Sequence, residues 1–332
     1  MKLTDELISL KKILYEQNSL SCDYSFLCYL VWQEKYKRKI INKKNCVLIQ
    51  LGDNNSYKFP LIKRSSNFAE KDDGKKTDTE KDDSIAKLGS VAKSDFAETT
   101  DSLAKSTLIE VINELIKLEN LTLECLTAEQ KKFLEKNFSN IFEFTSDRDE
   151  ADYIYDINEL STLSGRKFTK KRNHLNNFLK EYADWNVAAL TKANLSEVLD
   201  FANSWYKNKF LDENADIKNL EFEKKAIIKF LPELASLDAD SLVLYVNDKV
   251  AGFTVGYKSS LECVDIIFEK ADESIKGAYN IINREFAKFL KNKYPDVKYL
   301  NRENDLGVAG LRQAKLSYNP CLILEKFSAR LK

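Results

Sequence analysis

The chain has 332 residues, enough for two hydrophobic cores rather than one. Its 52 Lys and Arg balance 52 Asp and Glu, which argues against a broad electrostatic grip on DNA or on an anionic membrane and leaves only local patches. One histidine and six scattered cysteines with no CxxC pair argue against a His-rich metal centre and against a multi-histidine triad, so no metal site is expected and the thiols read as reduced.

The start, Met1 to Glu6, is charged and runs into an amphipathic helix pattern. The apolar run Phe26 to Trp32 is far shorter than the roughly 20 residues that cross a bilayer. A cytoplasmic protein without a membrane anchor is the expectation. Residues 1–40 read as helical. Two strands follow, Cys46 to Gln50 and Tyr57 to Ile62, joined by turn residues Gly52-Asp53-Asn54-Asn55. From about 63 to 106 the chain is Lys, Asp, Glu, Ser, Thr and Ala, and it repeats itself: Glu70-Lys71-Asp72-Asp73 recurs as Glu80-Lys81-Asp82-Asp83. Such a segment buries too little apolar surface to offset its ordering entropy, so it reads as a disordered insertion.

Helical spacing returns with Leu108, Val111, Ile112 and Leu115. A strand is expected at Leu121 to Leu126, a helix from Thr127 to Asn137, and strands at Phe142 to Thr145 and Asp152 to Tyr155. The second half opens on five cations in seven residues, Arg166, Lys167, Lys170, Lys171 and Arg172, at the start of a helix whose stripe is Phe168, Leu175 and Phe178. Helices follow at 195–211 and 219–235, then strands at 241–246, 249–257 and 261–268. A helix over 277–292 crosses to a strand at 297–300, and a helix at 308–316 leads to a last strand at 321–327. Trp185 and Trp205 read as core, and His174 as structural. This order of elements suits an α+β domain of the GNAT acyltransferase type, with a first domain over 1–157 and a second over 158–332.

Two strand ends carry the candidate chemistry. Glu269-Lys270 ends one strand and Asn301-Arg302-Glu303 the next, and the crossover helix between them makes the two strands parallel neighbours. Ligands of open α/β sheets bind beyond such carboxyl ends. Glu269 could take a proton from an amine, Lys270, Arg302 and Glu303 could hold charged groups, and Asn301 could orient them. The alternative is an ion-pair network that caps the strands. Arg172 shares the helix stripe, so its stem can pack while its head reaches a carboxylate. Tyr318, at a helix-to-strand turn, is either a proton donor to a leaving group or a buried aromatic.

Three segments then resemble the phosphatidylglycerol lysyltransferase C-terminal-domain family: Gly165 to Asn176; Glu269-Lys270-Ala271-Asp272 with Gly277 to Asn283; and Asn301 to Gly307 followed by Gly310 to Pro320. The resemblance covers 150–332 specifically and implies two tandem GNAT-like domains, each a mixed, mostly antiparallel sheet flanked by helices. It implies transfer of an activated acyl or aminoacyl group, from acyl-CoA or aminoacyl-tRNA, to a small-molecule or lipid-headgroup acceptor. Glu269 and Tyr318 would then be catalytic, and Lys171, Arg172, Lys270, Asn301, Arg302 and Glu303 would bind substrate. Arg166, Lys167, Lys170 and Lys171 either hold a tRNA backbone or form a solvated face. Two departures stand out: an apolar Ile267 where the family pattern leads one to expect histidine, and only Lys276-Gly277-Ala278 where a pyrophosphate-binding loop would stand. An acetyl-CoA-dependent N-acetyltransferase and a non-catalytic binding module of the same fold remain as alternatives.

Overall fold

The computed structural model describes residues 2–63, 102–213 and 215–332. Helices α1 (Asp5–Glu16) and α2 (Phe26–Trp32) lead to strands β1 (Lys39–Asn42), β2 (Cys46–Leu51), β3 (Ser56–Lys58) and β4 (Leu61–Ile62). Next come α3 (Ser102–Leu115), β5 (Thr122–Leu126), α4 (Ala128–Asn137), β6 (Phe142–Ser146) and β7 (Asp152–Asp156). The second half holds α5 (Ile157–Thr162), α6 (Thr169–Glu181), β8 (Trp185–Ala188), α7 (Leu195–Lys209) and α8 (Ile217–Phe230). It continues with β9 (Asp240–Val246), β10 (Lys249–Lys258), β11 (Cys263–Ala271), α9 (Ala278–Lys293), β12 (Tyr299–Asn301), α10 (Ala309–Leu316), β13 (Leu322–Leu324) and β14 (Phe327–Leu331).

Local chemistry sets several helix starts. Thr127 and Gln130 form a reciprocal capping box on α4, and the Asp156 carboxylate accepts from the amides of Asn158 and Glu159 at the head of α5. Most of the expected insertion, residues 64–101, lies outside the described residues. Its last five residues are helical, because Ser102 to Ser106 form the opening of α3. Strands β1 and β8 fall in stretches where no strand was expected. The single last strand expected over 321–327 is two, separated by Glu325 and Lys326.

The strands form two sheets flanked by helices, with orders β1-β2-β3-β5-β14-β6 (β4 on the side of β2) and β13-β7-β12-β11-β10-β9-β8. Every pair is antiparallel except one in each sheet, β3 with β5 and β11 with β12. This is the expected α+β architecture of two GNAT-like sheets in tandem. Strand pairing does not divide at 157/158, however. β7 sits between β12 and β13 in the second sheet, and the terminal β14 returns between β5 and β6 in the first. The N-terminal helices also cross over: Leu10, Phe26 and Tyr29 share one core with Ile227 and Phe230 of α8 and Phe253 of β10.

A buried polar network joins the two sheets. Asp23, just before α2, accepts from Lys58 of β3 and Lys326 beside β14, both at 2.8 Å. Lys326 also lies 2.7 Å from Asp152 of β7, which accepts from Asn301 of β12 at 3.0 Å and from the Cys22 amide at 2.9 Å. Burial pushes the Asp23 carboxyl up, but Lys326 and Lys58 outweigh it and hold it well below the ordinary carboxylate range. Removing one partner would leave an uncompensated buried charge. Lys326→Met is expected to cost ~3–5 kcal/mol in a urea titration. A loss under ~1 kcal/mol would show that the network contributes no more than a surface pair.

One irregularity positions the site. Along β10, Val255 faces Phe268 and its neighbour Gly256 faces Ile266, so Ile267 is an extra residue in β11. This β-bulge shifts the alternation of side chains by one. Val264 and Ile266 pack beneath α9 with Leu300 and Phe286, whereas Ile267 and Phe268 pack on the other face with Phe253 and Phe26. Beyond the bulge, Glu269 therefore returns to the α9 face, where Asn283 bonds it.

Candidate active site

β11 and β12 run side by side only from Cys263–Tyr299 to Asp265–Asn301. β12 then stops while β11 continues to Ala271, so the parallel pair opens at its carboxyl end. Arg302 and Glu269 face each other across that opening, with Nη2 of Arg302 2.6 Å from Oε1 of Glu269. Both side chains are largely buried, at 14% and 8% exposure. Asn283 of α9 donates to the other carboxylate oxygen at 3.2 Å. Nη1 of Arg302 and Oδ1 of Asn283 are buried and have no hydrogen-bond partner among the described residues. A donor and an acceptor left unspent beside a buried ion pair offer hydrogen bonds to a water or to a polar ligand, since such groups are costly to leave unpaired.

Aromatic rings wall the opening. The Arg302 guanidinium lies 5.1 Å from the Tyr318 ring centroid and 5.7 Å from that of Tyr155. The Tyr318 hydroxyl accepts from Asn280 Nδ2 at 2.8 Å, and Lys171 Nζ sits 3.8 Å from the Tyr318 ring centroid. Burial pushes the Tyr318 phenol up, so the hydroxyl keeps its proton at neutral pH. The loop that bears Arg302 is tied down by α10. Lys315 Nζ donates to the carbonyls of Arg302, Glu303 and Asn304, and Arg312 pairs with Asp305 at 2.8 Å. The Arg312 hydrogen bond holds the fully buried Asp305 carboxyl well below its ordinary range.

Glu269, Arg302, Tyr318 and Lys171 thus come together. The other expected site residues do not join them. Lys270 follows Glu269 on the strand and falls on the opposite face, 2.8 Å from Glu223 and 4.6 Å from the Trp205 ring centroid. Asn301 is fully buried and spends its side chain on Asp152, Leu20 and the Glu303 amide. Among the described residues Arg172 pairs with no carboxylate: it donates to the carbonyls of Leu163 and Gly165 and closes the turn before α6. Glu303 turns away toward the N-terminal segment, where it clusters with Cys22 and Cys28. Asn280, Asn283, Tyr155 and Lys315 carry roles that the sequence did not single out. The spacing of Asn280 and Asn283, one turn apart among the apolar residues of α9, was the one available signal.

The departures also have structural explanations. Ile267 is 5% exposed and packs in the core on the face opposite Glu269, so an apolar residue suits its place. Gly277 has φ +90°, and a Cβ there would lie 2.9 Å from the His174 carbonyl and from Cβ of Phe178. That glycine lets α9 approach α6 closely.

Lys167, Lys170, Lys171 and His174 of the basic segment line a surface pocket of about 490 Å³ against Gln313 and Asn319. Lys171 borders both this pocket and Tyr318. Burial, and then the Arg302 charge, push the Lys171 ammonium down to about 8. It is therefore cationic at pH 7 and loses its charge as pH rises through about 8. Pyrophosphate affinity is expected to fall several-fold between pH 7 and pH 9 in calorimetry, and Lys171→Arg is expected to flatten that dependence. A flat profile in the unmodified protein would separate Lys171 from anion binding.

Two tandem sheets flanked by helices, each with one parallel pair, form a fold of the GNAT type. More particularly, residues 100–330 match the family "Phosphatidylglycerol lysyltransferase, C-terminal", which is more than half of the chain, and the protein belongs to that family. It is 29% identical to a crystal structure of a conserved protein of unknown function from Bacteroides thetaiotaomicron, covering 100% of this chain and 99% of that one at a TM-score of 0.78. It is similar in fold to the C-terminal domain of a proposed lysylphosphatidylglycerol synthetase from Agrobacterium fabrum, with TM-score 0.60, 10% identity and coverage of 99% and 92%. An uncharacterized protein of Mycoplasmoides gallisepticum is 26% identical over 222 residues, 66% of this chain and 68% of the relative. Among the described residues no helix is long and apolar enough to cross a membrane.

Proposed function

We propose that the protein transfers an activated acyl or aminoacyl group to an amine or hydroxyl acceptor in the opening between Glu269 and Arg302. The observation that carries this reading is the buried Glu269–Arg302 pair with a spare donor on Arg302 and a spare acceptor on Asn283 beside it. As the acceptor attacks the ester or thioester carbonyl, the new N–C or O–C bond forms and the acceptor's proton passes to Glu269. Arg302 Nη1 and Lys171 stabilise the negative charge that develops on the carbonyl oxygen. The bond to the leaving group then breaks, and the Tyr318 hydroxyl supplies the proton that the leaving oxygen or sulfur needs. Proton return from Glu269 through solvent restores Tyr318.

The lysine-lined pocket beside Tyr318 suits the phosphates of the donor, whether aminoacyl-tRNA or acyl-CoA. Aminoacyl-tRNA is the preferred reading, because Gly277 serves packing of α9 on α6 and the chain lacks the other glycines of a pyrophosphate loop. The acceptor is a small amine or a lipid headgroup reached from solution.

Glu269→Gln leaves an amide oxygen to accept from Arg302 and an amide nitrogen to donate to Asn283 Oδ1 once that side chain turns over, but removes the proton acceptor. It is expected to lower the melting temperature, because buried Arg302 loses its counter-charge, to leave the chain folded by circular dichroism, and to slow transfer by ~100-fold or more in a donor and acceptor panel. Unchanged turnover would remove Glu269 from the reaction. A bound metabolite in native mass spectrometry with no turnover on any donor would instead favour a binding module.

A further inference from the structure

On the far side of Arg302, the loop after β12 meets the N-terminal segment in a buried polar cluster that the transfer reaction does not use. We infer that Cys22, Cys28 and Glu303 form a binding site for one zinc ion. Cys22 lies in the short 3₁₀ turn Cys22–Tyr24 and Cys28 in α2, and Glu303 follows Arg302 directly in the chain. The two sulfurs and one carboxylate oxygen all lie within 4.8 Å of one another, and both cysteines are buried. Tetrahedral zinc with Zn–S near 2.3 Å and Zn–O near 2.1 Å separates its ligands by roughly 3.5–3.8 Å, so small side-chain rotations would close the site.

Two features of the surroundings suit a thiolate metal rather than idle thiols. Oε1 of Glu303 is buried with no hydrogen-bond partner among the described residues, although the carbonyl of the same residue is bonded by Lys315. Lys326 Nζ lies 3.3 Å from Cys22 Sγ and would donate to a coordinated thiolate, the outer contact that tunes metal–sulfur sites. The metal-free Cys22 thiol donates a hydrogen bond to Asp152 Oδ1 at 3.3 Å, which metal binding would break, and Lys326, 2.7 Å from the same oxygen, offsets the carboxylate charge beside the thiolate. The charges also balance. Zinc brings two positive charges as two thiols lose one proton each, so the network of Lys58, Lys326, Asp23 and Asp152 around it sees no net change. Fully buried Asp265, whose oxygens have no hydrogen-bond partner among the described residues, neighbours Ser25 and Glu303 and adds polar depth to the cluster. No fourth Cys, His, Asp or Glu belongs to the ligand set among the described residues, so water would complete the tetrahedron.

Bound zinc would clamp the N-terminal segment onto the residue next to Arg302. No sequence motif marks the cluster, because five residues separate Cys22 from Cys28 and their third partner lies in the other half of the chain.

The test uses the full chain, reduced, dialysed against zinc sulfate and then against buffer, with metal counted by plasma mass spectrometry. About one zinc per chain is expected, with at least a tenfold loss of affinity in Cys28→Ser and a smaller loss in Glu303→Gln. Cobalt(II) loading should give a thiolate-to-metal absorption that the Cys22→Ser/Cys28→Ser double variant lacks, with circular dichroism reporting whether each variant is folded. The parent alone can decide the matter if the variants do not fold. Less than about a tenth of an equivalent in the folded, reduced parent overturns the site. So does a freshly isolated protein lighter by two hydrogens, with a Cys22–Cys28 disulfide in peptide mapping. Zinc retained by the folded double variant with an unchanged cobalt spectrum overturns it equally.

Discussion

The extra residue at Ile267 governs the architecture of the opening between Glu269 and Arg302. A regular β11 would place Glu269 on the same face as Ile267, against the N-terminal helices. The bulge returns it to the face of α9, where β12 ends and Arg302 waits 2.6 Å away. Three contacts follow from that one shift. Asn283 can reach the carboxylate, Lys270 is sent to Glu223 behind the sheet, and the apolar Ile267 fills core space. The bulge requires no special residue, only that Ile267 and Phe268 both find apolar neighbours on the far face, which Phe253 and Phe26 supply.

The second constraint is how the Arg302 loop is held. Lys315 gathers three successive carbonyls of that loop, and Asp305 is pinned by Arg312 and by the Tyr153 hydroxyl at 2.5 Å. Residues 301–307 and 310–320 therefore act as one motif, the second half restraining the first. Arg302 Nη1 is the one buried side-chain donor of these described segments without a partner. A guanidinium fixed in this way needs no reorganisation when charge develops nearby, which is the physical content of a preorganised site.

The two sheets have the same design, each with a single parallel pair, but they use its end differently. In the first, Lys58 at the end of β3 is committed to Asp23 and so to the network that ties both sheets together. In the second, the corresponding opening holds Arg302 and Glu269 with unspent polar atoms. Exchange of β7 and β14 between the sheets makes their separation costly, because pulling them apart would break strand ladders as well as buried ion pairs. The N-terminal helices add an apolar face to the same union.

Much was legible in the chain itself. The period of the apolar residues marked nearly every helix and most strands, and the crossover over 277–292 placed the ends of β11 and β12 together, since a helix between two strands makes them parallel neighbours. Glu269 and Arg302 could be paired on that ground alone. Tertiary structure decided what local pattern cannot carry. The phase of Glu269 and Lys270 depends on a bulge set by packing on both faces of the sheet. The partners of Asn301 and Arg172 are backbone and buried groups distant in sequence. The last strand splits in two because Lys326 must reach Asp23 and Asp152 between the sheets. Local sequence determined the elements and their order, through periodicity and turn chemistry; long-range pairing and burial determined which side chains remain free to act.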